Sequence, residues 1–402
     1  MISNPNIANS RPLRVLMLHN AYQQAGGEDA VARNEAALLR DGGHDVQTVV
    51  VNNDDIRGFS DKLEVTLRIR YNPDRARWID GLIDLHKPDV VHVHNFFPRL
   101  TFAVHAAARA RGLAVVQTLH NYRLGCAAAT FERDGQICED CLGRVPLPAL
   151  RHRCYRGSLV GTAGIIAMQH KAMTGGYLAG QVDRFIALTE FAKEKYIAIG
   201  LPEPAITVKP NFLDRPVRPE LGPRAGMLFV GRITHEKGIV DLIEAWRTLP
   251  DIRLTIAGDG PLRASLAASA PPNVTFIGSV EPDQVEAEMR RAAALIVPSI
   301  WYEGFPMTLV EAFANGLPAL VSRIGSLAEI VEPGVTGCHF TPGQPTSLAA
   351  AVRAFVADPG AAVAMSANCR ETFERNYSAV RNLSMLTSIY QKAMADVQSR
   401  HR

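Results

Sequence analysis

Two doubly wound α/β domains are the fold predicted for this chain of 402 residues, on three observations. The length exceeds that of a usual single domain, at about 150 residues per domain. Short apolar, β-branched runs alternate with helical patterns, and a break rich in proline and charge divides that alternation into two series.

The first series reads LRVLMLHN, DVQTVVV, PDVVHVHN, LAVVQTLHN and DRFIALTE. Near-continuous apolar runs of this kind fit parallel strands buried on both faces, with the intervening helices as crossovers. The second series, after ITVKPNF, reads GMLFVGR, IRLTIAGDG, VTFIGSV, AALIVPS and PALVSR. The expected organisation is a tail over 1–12, a first domain over 13–209, a linker over 210–225, a second domain over 226–380 and a helix over 381–402 that crosses back to the first domain. Four prolines within 210–226 mark the linker. In open parallel sheets ligands bind beyond the carboxyl ends of the strands. Here those ends carry His19, His94, Asn95, His120, Asn121, Gly231, Arg232, Gly258 and Ser299, so a cleft between the domains is the expected site.

With 47% apolar and 21% charged residues the composition is that of a soluble globular protein, and a formal charge of +3 without a basic and aromatic motif argues against nucleic acid as a partner. The N-terminus lacks the pattern of a signal peptide. The best apolar stretch, GSLVGTAGIIAM over 157–168, is short of the roughly 20 residues of a spanning helix. A cytoplasmic location follows as the expectation, with peripheral contact at the inner face of a membrane as its variant. The reason for that variant is a stretch from Leu142 to Val182 without Asp or Glu, in which Arg144, Arg151, Arg153, Arg156 and Lys171 lie among apolar residues. Such a segment suits an anionic membrane surface or an anionic acceptor, or else it packs as an ordinary helix with its cations in water.

Several groups could hold phosphates. Gly26 and Gly27 precede a predicted helix, whose first amides would be open to an anion, although Glu28 and Asp29 could satisfy the same helix start. Arg232 and Lys237 follow Gly231 at a strand end and offer a planar fork and a mobile point charge to phosphate oxygens. In WYEGFPMTLVEAFANGLP, Glu303 and Glu311 stand eight positions apart. Thr308 and Glu311 have the spacing of a capping box, which leaves Glu303 unexplained.

GRITHEKG, IAGDGP, NVTFIGSV and PSIWYEGFPMTLVEAFANGLP, together with GGEDAV, VHVHN, TLHNYRL and VDRFIALTEFAKEKY, occur in an order and at spacings similar to those of the retaining glycosyltransferases of family 4, also called glycosyl transferases group 1. The resemblance covers most of the chain. It implies the GT-B fold of two Rossmann-like domains, a nucleotide diphosphate sugar as donor, and transfer with retention. By the same resemblance Glu311 accepts from the donor ribose, Glu303 meets hydroxyls of the transferred sugar, and Arg232, Lys237 and the amides of Phe305, Met307, Thr308 and Leu309 hold the diphosphate. Pro306 replaces a residue that is often glycine in the family, so one amide is missing. His120 stands beside the donor sugar or is a structural histidine, Gly26 and Gly27 close over the diphosphate, and Val280 meets the base through its main chain. The chain has no Asp-x-Asp, which argues for charge stabilisation without a metal. The implied front-face substitution passes the acceptor proton to the leaving phosphate.

Cys126, Cys138, Cys141 and Cys154 follow the pattern C-x11-C-x2-C-x12-C. Their spacing suits a structural zinc, with an iron–sulfur cluster less favoured and reduced thiols in an ordered insertion over 124–157 as the alternative. No cofactor is expected to be needed for catalysis. The leading reading is a metal-independent hexosyltransferase that builds a cell-surface polysaccharide or glycolipid on a glycan or lipid-linked acceptor. The alternatives are a GT-B phosphorylase, a nucleotide-sugar epimerase and a non-catalytic nucleotide-sugar-binding protein.

Overall fold

A computed structural model describes residues 11–21, 27–54, 58–214 and 222–400. The described residues divide into two compact units, one within 1–131, 139–211 and 379–402, the other within 132–138 and 212–378. In chain order the strands of the first half are β1 (Arg14–Asn20), β2 (Asp45–Val51), β3 (Val90–Asn95), β4 (Ala114–Thr118), β5 (Glu132–Arg133), β6 (Gln136–Ile137), β7 (Arg184–Ala187) and β8 (Ile206–Val208). Those of the second half are β9 (Met227–Val230), β10 (Leu254–Ala257), β11 (Val274–Gly278), β12 (Ala294–Val297), β13 (Ala319–Ser322) and β14 (Gly337–Phe340).

The first sheet has the order β2-β1-β3-β4-β7-β8 and the second β11-β10-β9-β12-β13-β14, and every pair in both is parallel. The strands predicted from apolar runs are all present. Two edge strands, β8 and β14, are additional. The short sequences ITV and GCHF contain too little apolar periodicity to announce a strand.

Burial on both faces accounts for the runs. In β3 and β4 every residue is buried, and β12 and β13 are equally enclosed. Local chemistry sets the helix ends. Asn72 accepts from the amides of Asp74 and Arg75 ahead of the helix Pro73–His86, and Thr189 accepts from Ala192 ahead of Glu190–Ile199, which Gly200 closes. The last helix, Ala379–Arg400, packs on β4 and β7 and buries Leu383, Leu386, Ile389 and Tyr390 within the first unit.

One boundary differs from expectation. Residues 132–138, assigned by the sequence to the first domain with the rest of 124–157, group with the second unit. They form the antiparallel hairpin β5–β6, closed by a hydrogen bond from the Gly135 amide to Glu132, and pair with neither parallel sheet.

The first unit encloses an unusual number of polar groups. Lys209 and Glu35 are both fully buried and lie 2.5 Å apart, with Asn382 of the last helix 3.3 Å from the same ammonium. His92 bridges Tyr390 and Thr118, at 2.8 Å each. His105 meets Gln117 at 2.7 Å. Burial lowers the His105 pKa to about 4 despite that hydrogen bond, and lowers His92 and His94 well below the usual imidazole value.

These imidazoles contribute to how stability depends on pH. Each is neutral when folded and takes a proton when unfolded, so its contribution is complete above about pH 6.5 and is lost as pH falls. For His105 alone the loss reaches roughly 2 kcal/mol by about pH 5. Calorimetry between about pH 7 and 5 should show a falling unfolding temperature, with a shallower slope in His105→Gln. A flat profile, or equal slopes, would contradict neutral buried imidazoles.

Candidate active site

In the second sheet the strand order reverses between β9 and β12. The loops leaving those strands splay apart at such a point and open a crevice. Here they are laced to their neighbours by backbone contacts. Gly231 donates to Ala257 O at 3.0 Å, Ile233 to Asp259 O at 2.8 Å, and Ile300 to Glu236 O at 3.0 Å. Two glycines make this approach feasible. At Gly258 (φ +144°) a Cβ would sit 1.9 Å from Gly231 O, and at Gly238 (φ +68°) 1.8 Å from Pro298 O.

Between these loops lies Glu303, only 6% exposed. Its Oε1 accepts from Lys237 Nζ at 2.7 Å and from Ser299 Oγ at 2.6 Å. Lys237 also sits over the Trp301 ring, 5.5 Å from its centroid. Burial pushes the Glu303 carboxyl up, but the charge and hydrogen bond of Lys237, with Ser299 and the polar edge of Trp301, outweigh it and hold the group ionised below its ordinary value. Arg232 is exposed and reaches Glu236 at 3.4 Å.

The capping box expected of Thr308 and Glu311 is not the cap of this helix. The helix begins two residues earlier than that box requires, at Met307, so Thr308 falls inside it and Pro306 is the N-cap, with no side-chain cap bond. A capping oxygen would compete with an anion for the first amides, and its absence leaves that helix start suited to one. The Leu309 amide, expected to bind phosphate, instead donates to Pro306 O at 3.1 Å, which leaves Met307 and Thr308 as the better donors. Phe305 packs on Tyr377, Glu311 is half-buried, and Val280 is half-buried two residues beyond β11.

In the first unit, Gly27 opens the helix Gly27–Asp41, while Gly26 lies outside the described residues. The two acids of that helix start are drawn aside, Glu28 to Asn121 at 2.9 Å and Asp29 to His19 at 2.6 Å. His120 Nε2 lies 3.0 Å from His94 Nδ1, and the rings stack with centroids 5.2 Å apart. Burial, with the charges of His19 and Lys209, drives the His120 pKa down to about 3 against the opposing pull of Glu35. Glu35, His92 and His94 converge, with ligand atoms within 4.8 Å of one another. They do not suit a cation, because Lys209 already neutralises Glu35 and both nitrogens of His92 are engaged.

Sequence reasoning passed over this cluster, although two signals were present. VHVHN places His92 and His94 on one face of a strand, and Glu35 falls on the buried stripe of an amphipathic helix beside Val31, Ala32 and Leu38.

Of the cysteines expected to hold zinc, Cys138 belongs to the second unit, and Cys126, Cys141 and Cys154 belong to the first. All four are half-buried and outside any disulfide. Three of them are placed by local structure. Cys126 lies in a turn with Tyr122 and Ala129, Cys138 follows β6, and the Cys154 amide closes the short helix Leu147–His152 on Ala149 O.

Residues 26–211 match the family description "Glycosyl transferase 4-like domain", and residues 214–372 match "Glycosyl transferases group 1". A glycogen synthase of Mycobacterium tuberculosis is 31% identical over 294 residues, covering 69% of this chain and 62% of that protein. The chain thus spans about three fifths of that relative's length. Among solved structures, the lipopolysaccharide outer core galactosyltransferase WaaB in its apo form superposes with a TM-score of 0.62 at 19% identity, covering 97% of this chain and 100% of that one. Anabaena HepE in complex with UDP-glucose gives 0.65 at 15% identity, covering 96% and 100%. Each family description matches one half of the chain, each half contains one of the two parallel sheets, and the chain has the GT-B fold.

Proposed function

We propose that the protein transfers a hexose-type sugar from a nucleotide diphosphate sugar to a hydroxyl of a glycan or lipid-linked acceptor, with retention at the anomeric carbon and without a metal ion. The observation that carries this reading is the enclosed Lys237–Glu303–Ser299 cluster at the strand-order reversal, beside a helix start with no side-chain cap. HepE was crystallised with UDP-glucose, which supports a uridine nucleotide as the first donor to try. WaaB acts in building lipopolysaccharide, which supports a cell-surface acceptor.

The residues divide the work by charge. In the reaction the bond from the anomeric carbon to the diphosphate oxygen breaks and its electron pair leaves with the diphosphate. The acceptor oxygen bonds to the same face of that carbon and its proton passes to the departing phosphate. Arg232, Lys237 and the amides of Met307 and Thr308 stabilise the growing negative charge. Glu303 is ionised and acceptor-only, so it orients sugar hydroxyls while holding Lys237 in place. Glu311 accepts from the ribose.

Thermal-shift screening with UDP- and GDP-sugars should find one stabilising donor, and a transfer assay with that donor should run undiminished in a metal chelator. Lys237→Ala and Glu303→Ala should each lower kcat/KM by about two to three orders of magnitude with the fold retained. Transfer at the wild-type rate by both variants would sink this assignment.

The same pair makes a separate stability prediction. In Lys237→Met the cation is gone and burial alone raises the Glu303 pKa, so the penalty is full near neutral pH and fades as pH falls toward the unfolded value of about 4.5. At about pH 7 the single variant should be less stable than Lys237→Met with Glu303→Gln, by up to roughly 3–5 kcal/mol, and the gap should close on acidification. A gap that ignores pH would show that Lys237 does not control this carboxylate.

A further inference from the structure

The segment without acidic residues becomes a defined surface in the fold. The short helix Leu147–His152 runs into a turn that places Arg153, Arg156 and Gly157 at positive φ, and Ser158 then caps the helix Leu159–Met173 through a bond from the Gly161 amide at 3.1 Å. The two helices pack on each other, and the longer one buries Thr162, Ile165, Met168 and Ala172. The Tyr155 amide donates to Thr162 Oγ1 at 3.0 Å, which ties the turn to that helix. The exposed side chains of this hairpin are mostly apolar or basic. Val145, Leu147, Leu159 and Val160 are 68%, 63%, 52% and 62% exposed, and Arg144, Arg151, Arg153 and Arg156 around them are exposed as well.

Single exposed apolar residues are ordinary. Here four of the thirteen large ones among the described residues fall within sixteen positions, in a stretch where no carboxylate offsets four arginines. Apolar side chains gain by leaving water together, and arginines rimming them can reach outward to phosphate while their stems stay on the apolar surface. A protein partner with an acidic rim would need a geometric match to this patch, whereas a bilayer of anionic lipid supplies both halves at once, acyl chains for the leucines and valines and headgroup phosphates for the arginines.

We infer that the hairpin over 144–160 docks the protein on an anionic bilayer surface. The mode is peripheral, since no single helix among the described residues is long and apolar enough to cross a membrane. Docking on this face is independent of the transferase reading and needs no donor.

The test is cosedimentation of the full chain with vesicles, without nucleotide. Wild-type protein should bind vesicles of phosphatidylglycerol and phosphatidylethanolamine at low salt, release at high salt, and pass by vesicles of phosphatidylcholine. Leu159→Glu with Val160→Glu, and separately Arg151→Glu with Arg153→Glu, should each reduce partitioning by about tenfold or more while circular dichroism and unfolding temperature stay unchanged. Equal binding to both vesicle types, or variants that bind like wild type, would overturn the inference. So would retention on dextran sulfate that the apolar pair does not alter when vesicle binding is absent, since that result assigns the arginines to a soluble polyanion.

Discussion

A carboxylate as enclosed as Glu303 stays ionised only with a cation beside it, and Lys237 meets that need from 2.7 Å. Burying either charge alone would cost several kcal/mol, so each loop holds its conformation because the other does. Lys237 follows β9 and Glu303 follows β12, which puts the pair across the strand-order reversal of the second sheet. The rest of the candidate site is arranged around this link. Ser299 donates to the same carboxylate, Trp301 lies beneath the ammonium, and the helix start at Met307 comes four residues later.

Such a pair carries a functional implication beyond stability. In the proposed reaction Lys237 is held by a carboxylate that would also accept from sugar hydroxyls, so occupation by substrate and neutralisation of phosphate charge would act on one shared group. The loops can be held this closely because Gly238 and Gly258 let backbone touch backbone where a side chain would collide. The first unit uses the same device in another form. Glu35 and Lys209 neutralise each other inside its core, Asn382 brings the returning helix to the same ammonium, and the histidines nearby remain neutral.

Much of the fold was legible because parallel strands buried on both faces must be apolar almost throughout. That is why LRVLMLHN and AALIVPS announced themselves, while the edge strands GCHF and ITV did not. Candidate site residues were chosen for a different reason, since Arg232, Lys237, Glu303 and Glu311 sit in stretches whose order resembles a known family. Their partners were not. Nothing in the spacing of Lys237 and Glu303, 66 positions apart, says that they touch. The capping box shows how a local pattern can mislead: the spacing was right, but the helix began two residues too early for Thr308 to cap it.

The sequence by itself determined two parallel-sheet domains, the break between them, and the residue types available for phosphate and sugar. It did so because apolar periodicity, proline and glycine act locally, over a few residues at a time. Tertiary structure alone decided which charges are paired, which histidines lose their protons, and that Val145, Leu147, Leu159 and Val160 of the acid-free segment are exposed. Those outcomes depend on burial and on contacts between residues distant in the chain, and a carboxylate, an imidazole or a thiol has no fixed behaviour until its surroundings are known.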